Sequence, residues 1–123
     1  MEEALIKRIM PHSIEAEQSV LGSMLMDRDA IMQCAEMITG DDFYQKQYGV
    51  VFDAIVELNN EGRPADLVTL QDRLKSKDVP EEVSALEYVR DIINAVPTSA
   101  NAKHYAKIVQ EKSVLRKLIR INE

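Results

Sequence analysis

The chain has 123 residues, 46% of them apolar and 29% charged, with no Trp, four Gly and four Pro. That is enough for one hydrophobic core and too little for two, and it excludes disordered and collagen-like chains. A net charge of −6 argues against a broad nucleic-acid footprint, because an acidic surface repels phosphate.

The opening MEEALIKRIM is acidic at its start and lacks a long apolar stretch, so it does not read as a signal peptide. Residues 1–12 are expected to be an N-terminal arm. In PHSIEAEQSVLGSMLMD, Ser13 reads as an N-cap, with Glu15 and Glu17 near the positive end of the helix dipole. Ile14, Leu21 and Leu25, flanked by Val20 and Met24, form its apolar stripe. Gly22 inside that helix costs about 1 kcal/mol relative to Ala, which close approach by a neighbouring helix would justify. A second stripe joins Ala30, Ile31, Cys34, Ala35 and Ile38, closed by Gly40. The strongest helical pattern is GDDFYQKQYGVVFDAIVELNNEGRP, where Tyr44, Tyr48, Val51, Phe52, Ile55 and Leu58 recur at three- and four-residue spacing before Gly62 and Pro64. In ADLVTLQDRL, Asp66 is the expected N-cap and Leu67, Leu70 and Leu74 face inward. KSKDVPEE reads as a loop. VSALEYVRDIINAVP is the next helix, with Leu86, Val89 and Ile93 inward, Tyr88 consequently outside the core, and Pro97 as the stop.

The last segment, SANAKHYAKIVQEKSVLRKLIRINE, differs from the rest. Its apolar residues make two tracks: Tyr105, Ile108, Leu115 and Ile119, and beside them Ala102, Ala106, Val109 and Leu118. A stripe this wide has room for its own domain on one side and a partner on another. Ile121 is still in phase, so the pattern reads as part of a longer helix. The segment is also basic. Residues 101–123 hold six Lys and Arg against two Glu, whereas residues 1–100 hold nine against nineteen Asp and Glu, a balance of −10. A solvated helix face is the plain reading of that charge, and contact with nucleic acid or an acidic protein is the sharper one.

Motifs that carry chemistry are missing. No glycine precedes a lysine in a phosphate-cradling pattern, and GxGxxG is absent. His12 and His104 lie far apart, and two His with one Cys do not make a four-ligand zinc set. DRDA at 27–30 lacks the glycine and closing glutamate of a calcium loop. Asp41 and Asp42 read as a helix cap and a first-turn charge rather than a catalytic pair. No enzyme activity, cofactor or metal is therefore expected of this segment. Cys34 cannot form an internal disulfide, so a reducing, cytoplasmic setting is expected, and no apolar run is long enough for a membrane span.

Three segments in order, PHSIEAEQSVLGSMLMD, DDFY…VFDAI…L…GRPADLVTL and PTSANAKHYAKIVQEKSVLRKLI, together resemble the N-terminal domain of the bacterial DnaB-type replicative DNA helicases. The resemblance runs from about Pro11 to the end, and PxSxEAEQxVLG is its most specific motif. One departure is local: the family's usual Gly-Gly pair is replaced by Ser84-Ala85 ahead of Tyr88-Val89, which should stiffen the start of that helix.

The resemblance implies an all-α fold, a compact bundle of about six helices, with residues 13–97 as the globular head and residues 98–123 as the truncated first part of a helical hairpin. It implies a homohexameric parent that unwinds DNA 5′ to 3′, with ATP and Mg handled by a C-terminal ATPase domain absent from this sequence. The N-terminal domains would form a collar, a trimer of dimers, that receives the C-terminal domain of primase and, in some systems, a helicase loader. With the hairpin incomplete, a monomer or weak dimer is expected. Matching positions point to Tyr88, Ile119 and Asp66 for primase, with Asp66 also a plain N-cap, and to Leu115 and Leu118 for self-association. Two other readings compete: a generic helical dimerisation module of a regulator, and a DNA-binding domain using the basic helix at 103–120.

Overall fold

The computed structural model describes residues 10–94 and 101–121, apart from the side chain of Leu86. The arm up to residue 9, the inward placement of Leu86, the Pro97 stop and residues 122 and 123 lie outside the described residues. Within them the fold is all-helical: α1 (Ile14–Met26), α2 (Arg28–Ala35), a 3₁₀ turn (Gly40–Asp42), α3 (Lys46–Asn60), α4 (Leu67–Lys75), α5 (Leu86–Asn94) and α6 (Ala102–Ile121).

Helix α1 is the central rod. Ser13 has extended backbone and its Oγ accepts from the Ala16 N–H at 3.1 Å, so the cap reads as expected. Beyond the cap, the stripe is too narrow a description. Ala16, Glu17, Ser19, Gly22 and Ser23 are buried together with Val20, Leu21 and Met24, because α2, α3, α5 and α6 pack around α1. With neighbours on several sides, burial here extends beyond the apolar stripe to small and even charged residues.

Asp27 closes α1 and opens α2: its N–H donates to the Ser23 carbonyl, and its carboxylate accepts from the Asp29 N–H at 3.0 Å. DRDA is thus a helix joint. Helix α2 buries Ala30, Ile31 and Cys34 but exposes Ala35 and ends at a Glu36 cap, not at Gly40. Ile38 reaches the core from the turn that follows.

Tyr44 precedes α3 and is exposed, against the expectation that it leads the stripe; Phe43 takes the inward place and packs on Phe52 at 5.2 Å. The 3₁₀ turn sits directly on α3, and a Cβ on Gly49 would collide with the Gly40 carbonyl oxygen. Helix α3 ends as its Gly62 signalled. That residue takes φ 74°, and the N–H groups of Gly62 and Arg63 bond back to Asn59 and Leu58 at 3.0 and 2.9 Å.

Asp66 caps α4, accepting from the Thr69 N–H at 2.9 Å while Thr69 Oγ1 accepts from the Asp66 N–H at 2.9 Å. Leu70 and Leu74 are buried, Leu67 partly so. Helix α5 starts at Leu86, three residues later than the pattern suggested. Residues 80–85 form turns instead, with Ser84 Oγ donating to the Glu81 carbonyl at 3.0 Å. Rotation of α5 toward α1 and α4 buries Val89 and Ile92 and leaves Ile93 at the margin. On the outer surface, Arg73 and Lys77 bridge to Glu57 at 3.0 and 2.8 Å and tie the end of α4 to α3.

Candidate functional site

Helix α6 presents two unlike faces. The face turned to α1 and α2 buries Ala102, Ala106, Val109, Ser113 and Arg116, one residue per turn at alternating four- and three-residue steps. The apolar tracks read from the sequence contain only the first three of these. The outer face exposes Val114, Leu115, Leu118 and Ile121, with Leu115 at 44% and Ile121 at 78% of full exposure. Ile119 lies between the faces and is half-buried. Val114 and Leu115 line a shallow apolar shelf with Gln110 and Lys112.

What holds α6 at this end is polar. Arg116 is 4% exposed, not part of a solvated basic face. Its guanidinium donates to the carbonyl oxygens of Pro11 at 2.8 Å and Asp42 at 2.6 Å, and lies 5.7 Å from the centre of the Tyr44 ring. One turn earlier, Ser113 Oγ donates to the Asp42 carboxylate at 2.6 Å, and Lys117 Nζ reaches the same oxygen at 3.5 Å. Burial pushes the Asp42 carboxyl up, but Ser113, the Thr39 N–H and Lys117 outweigh it and hold the group below the usual carboxylate range. Asp42 is therefore the anchor of α6 on the head, a role its position beside Asp41 did not disclose.

Glu17, 1% exposed, completes the cluster. It is a first-turn acid of α1, as the sequence predicts. Its carboxylate also accepts from the backbone N–H groups of Tyr44 and Gln45 at 2.8 and 3.2 Å, capping α3 from another helix where Gln45 makes no side-chain cap of its own. Burial raises its pKa, opposed by those two bonds and by the charges of Arg116 and His12. His12 stacks on Tyr44 at 3.9 Å and 7°. Glu17 and Arg116 carried a legible signal only in retrospect: each is a charge standing in an apolar register of its helix.

The residues proposed for primase sit on three elements: Asp66 at the start of α4, Tyr88 on α5 and Ile119 on α6. Asp66 is an exposed N-cap whose carboxyl the Thr69 N–H holds low. Tyr88 is not outside the core as expected. It is half-buried, packed against the core with its ring 6.3 Å from that of Tyr48, and burial pushes its hydroxyl up to about 12. The later start and rotation of α5 turn Tyr88 toward α3. Among the described residues no three His, Cys, Asp or Glu side chains gather as metal ligands do, and no helix is long and apolar enough to cross a membrane.

Residues 9–111 match the family described as the DnaB-like helicase N-terminal domain. The replicative DNA helicase DnaC of Bacillus subtilis is 44% identical over 120 residues, covering 98% of this chain and 26% of that protein. The replicative DNA helicase DnaB of Geobacillus stearothermophilus is 42% identical over the same share of each. The chain thus spans about a quarter of the length of these curated relatives. The crystal structure of the N-terminal domain of DnaB helicase from Mycobacterium tuberculosis superposes with a TM-score of 0.88 at 40% identity, over 93% of this chain and 79% of that one. The N-terminal domain of DnaB helicase from Helicobacter pylori, studied with its interactions with primase, shares the fold at a TM-score of 0.74 and 24% identity, over 88% of this chain and 84% of that one.

Proposed function

The chain belongs to the DnaB-like helicase N-terminal domain family, and from that premise we propose that it is the interaction and oligomerisation module of a hexameric replicative helicase. The observation that carries this reading is the outer face of α6: apolar side chains left in solvent on a helix whose other face is clamped to the head by Arg116 and Asp42. Leu115 and Leu118 would pair with a second copy in a collar built as a trimer of dimers. Tyr88, Ile119 and Asp66 would meet the C-terminal domain of primase, the kind of partner named for the H. pylori domain, and a helicase loader is a further candidate for the collar. The parent protein would unwind DNA 5′ to 3′ in the cytoplasm with ATP and Mg, held in its C-terminal ATPase domain and not by the residues here.

The test is isothermal titration of this chain with the C-terminal domain of a bacterial primase. Saturable binding is expected, weakened by Asp66→Asn, which keeps the cap and removes only the charge. No heat and no retention on immobilised primase domain would overturn the primase reading. Tyr88→Ala is expected to weaken binding and also to cost about 1–3 kcal/mol of stability, read from its urea midpoint, because its ring packs on Tyr48.

A DNA-binding reading has one observation behind it: Lys103, Lys107, Lys117 and Arg120 of α6 are exposed. Binding to single-stranded DNA that falls steeply with salt would favour it.

A further inference from the structure

A cleft of about 420 Å³ opens between the 3₁₀ turn, the start of α3 and the far half of α6. Its rim carries three exposed cations, Lys46, Lys117 and Arg120, on a protein whose net charge is −6. Lys117 has one weak pairing, 3.5 Å to Asp42. Lys46 and Arg120 make no ion pair or hydrogen bond with the described residues, and Arg120 stands close enough to Arg116 to disfavour that buried charge. Positive charge thus exceeds negative charge in the lining, where Lys46, Arg116, Lys117 and Arg120 stand against Asp41 and Asp53. The lining also holds apolar surface: Val50 is half-buried, and Tyr44, 41% exposed, offers a ring braced by its stack on His12.

We infer that this cleft docks a short acidic peptide segment of a partner protein, its carboxylates on Lys46, Lys117 and Arg120 and an apolar side chain on the apolar surface of Tyr44 and Val50. A nucleic-acid strand fits less well. Asp41 and Asp53 line the same cleft, and evenly spaced phosphates would pass beside them, whereas a peptide sets its carboxylates and apolar groups where the sites require. The inference goes beyond the collar reading and does not depend on primase or on self-pairing.

The experiment is fluorescence anisotropy of a labelled peptide of alternating Asp and Leu, titrated with the full chain at low salt. Saturable binding is expected, weakened about tenfold by Arg120→Glu or Lys46→Glu and by added salt, while both variants keep the parent melting temperature. A peptide of alternating Asp and Ser, equal in charge, should bind more weakly. The inference is overturned if the Asp–Leu peptide does not bind, if charge reversal has no effect, or if the Asp–Ser peptide binds equally well. It is also overturned if a labelled single strand of about twelve nucleotides binds as tightly and loses affinity in the same variants, which would assign the cleft to phosphate.

Discussion

Arg116 spends a buried guanidinium on two carbonyl oxygens, those of Pro11 and Asp42, and neutralises part of the charge of Glu17. Arg116→Met would fill the space but leave both carbonyls and the Glu17 carboxylate without their cation. A loss of about 3–5 kcal/mol is expected by urea denaturation, and a loss below about 1 kcal/mol would mean that the guanidinium is solvated. Glu17 sets a pH dependence of definite sign. Burial raises its folded pKa above the ordinary 4.5, with the Tyr44 and Gln45 N–H groups and Arg116 opposing. The folded state therefore holds that proton more tightly than the unfolded chain, and stability falls as pH rises from 4.5 through the folded value. Asp53, also raised by burial, acts in the same direction. Asp42 acts in the opposite one: its contribution is present above the ordinary 3.8 and is lost as pH falls through its lower folded value. Urea midpoints measured across acidic pH should peak between these limbs, and Glu17→Gln should shrink the upper limb. An unchanged upper limb would show that Glu17 does not titrate differently on folding.

Between elements, two contacts decide where α6 points. The first is the seat of the 3₁₀ turn on α3. Gly49→Ala puts a methyl group into the Gly40 carbonyl, so the turn must lift, and with it Asp42, the anchor of α6. A cost of about 1–3 kcal/mol is expected in thermal or urea melts, and a neutral result would mean that the turn moves without penalty. The second is the division of α6 into a buried seam and an exposed apolar row. Leu115→Asp touches only the exposed row, so stability should stay within about 0.5 kcal/mol, while any concentration-dependent self-association in sedimentation should disappear. Persistent association in that variant would place the pairing surface elsewhere. The helices themselves were legible from Ser13, Asp66, Gly62 and the three-and-four spacing of α3, since caps and periodicity are local. Their rotations were less so: Ile92 in place of Ile93, and Tyr88 turned toward Tyr48, depend on which neighbours α5 meets.

At the scale of the molecule, an acidic head carries a basic final helix whose inner face is spent on packing and whose outer face is not. This arrangement suits a module that works by contact, and it gives the unabsorbed cations at the cleft their context: they sit where the head and α6 meet. The PxSxEAEQxVLG motif shows how far a local pattern can be read. It gave the cap by itself and, with two further segments in order, pointed to the family, yet its second glutamate, Glu17, does something the pattern alone does not state, capping a helix about thirty residues downstream through the Tyr44 and Gln45 N–H groups.

The amino-acid order by itself determined the all-helical class, several of the helix boundaries and the family, because these rest on spacing, caps and motifs that act over a few residues. Only the tertiary structure decided that Glu17 and Arg116 are interior, that Asp42 fastens α6, and that Tyr88 leans on the core. Burial of a charge depends on partners brought together from distant parts of the chain, and nothing in the local pattern records whether those partners will be there to satisfy it.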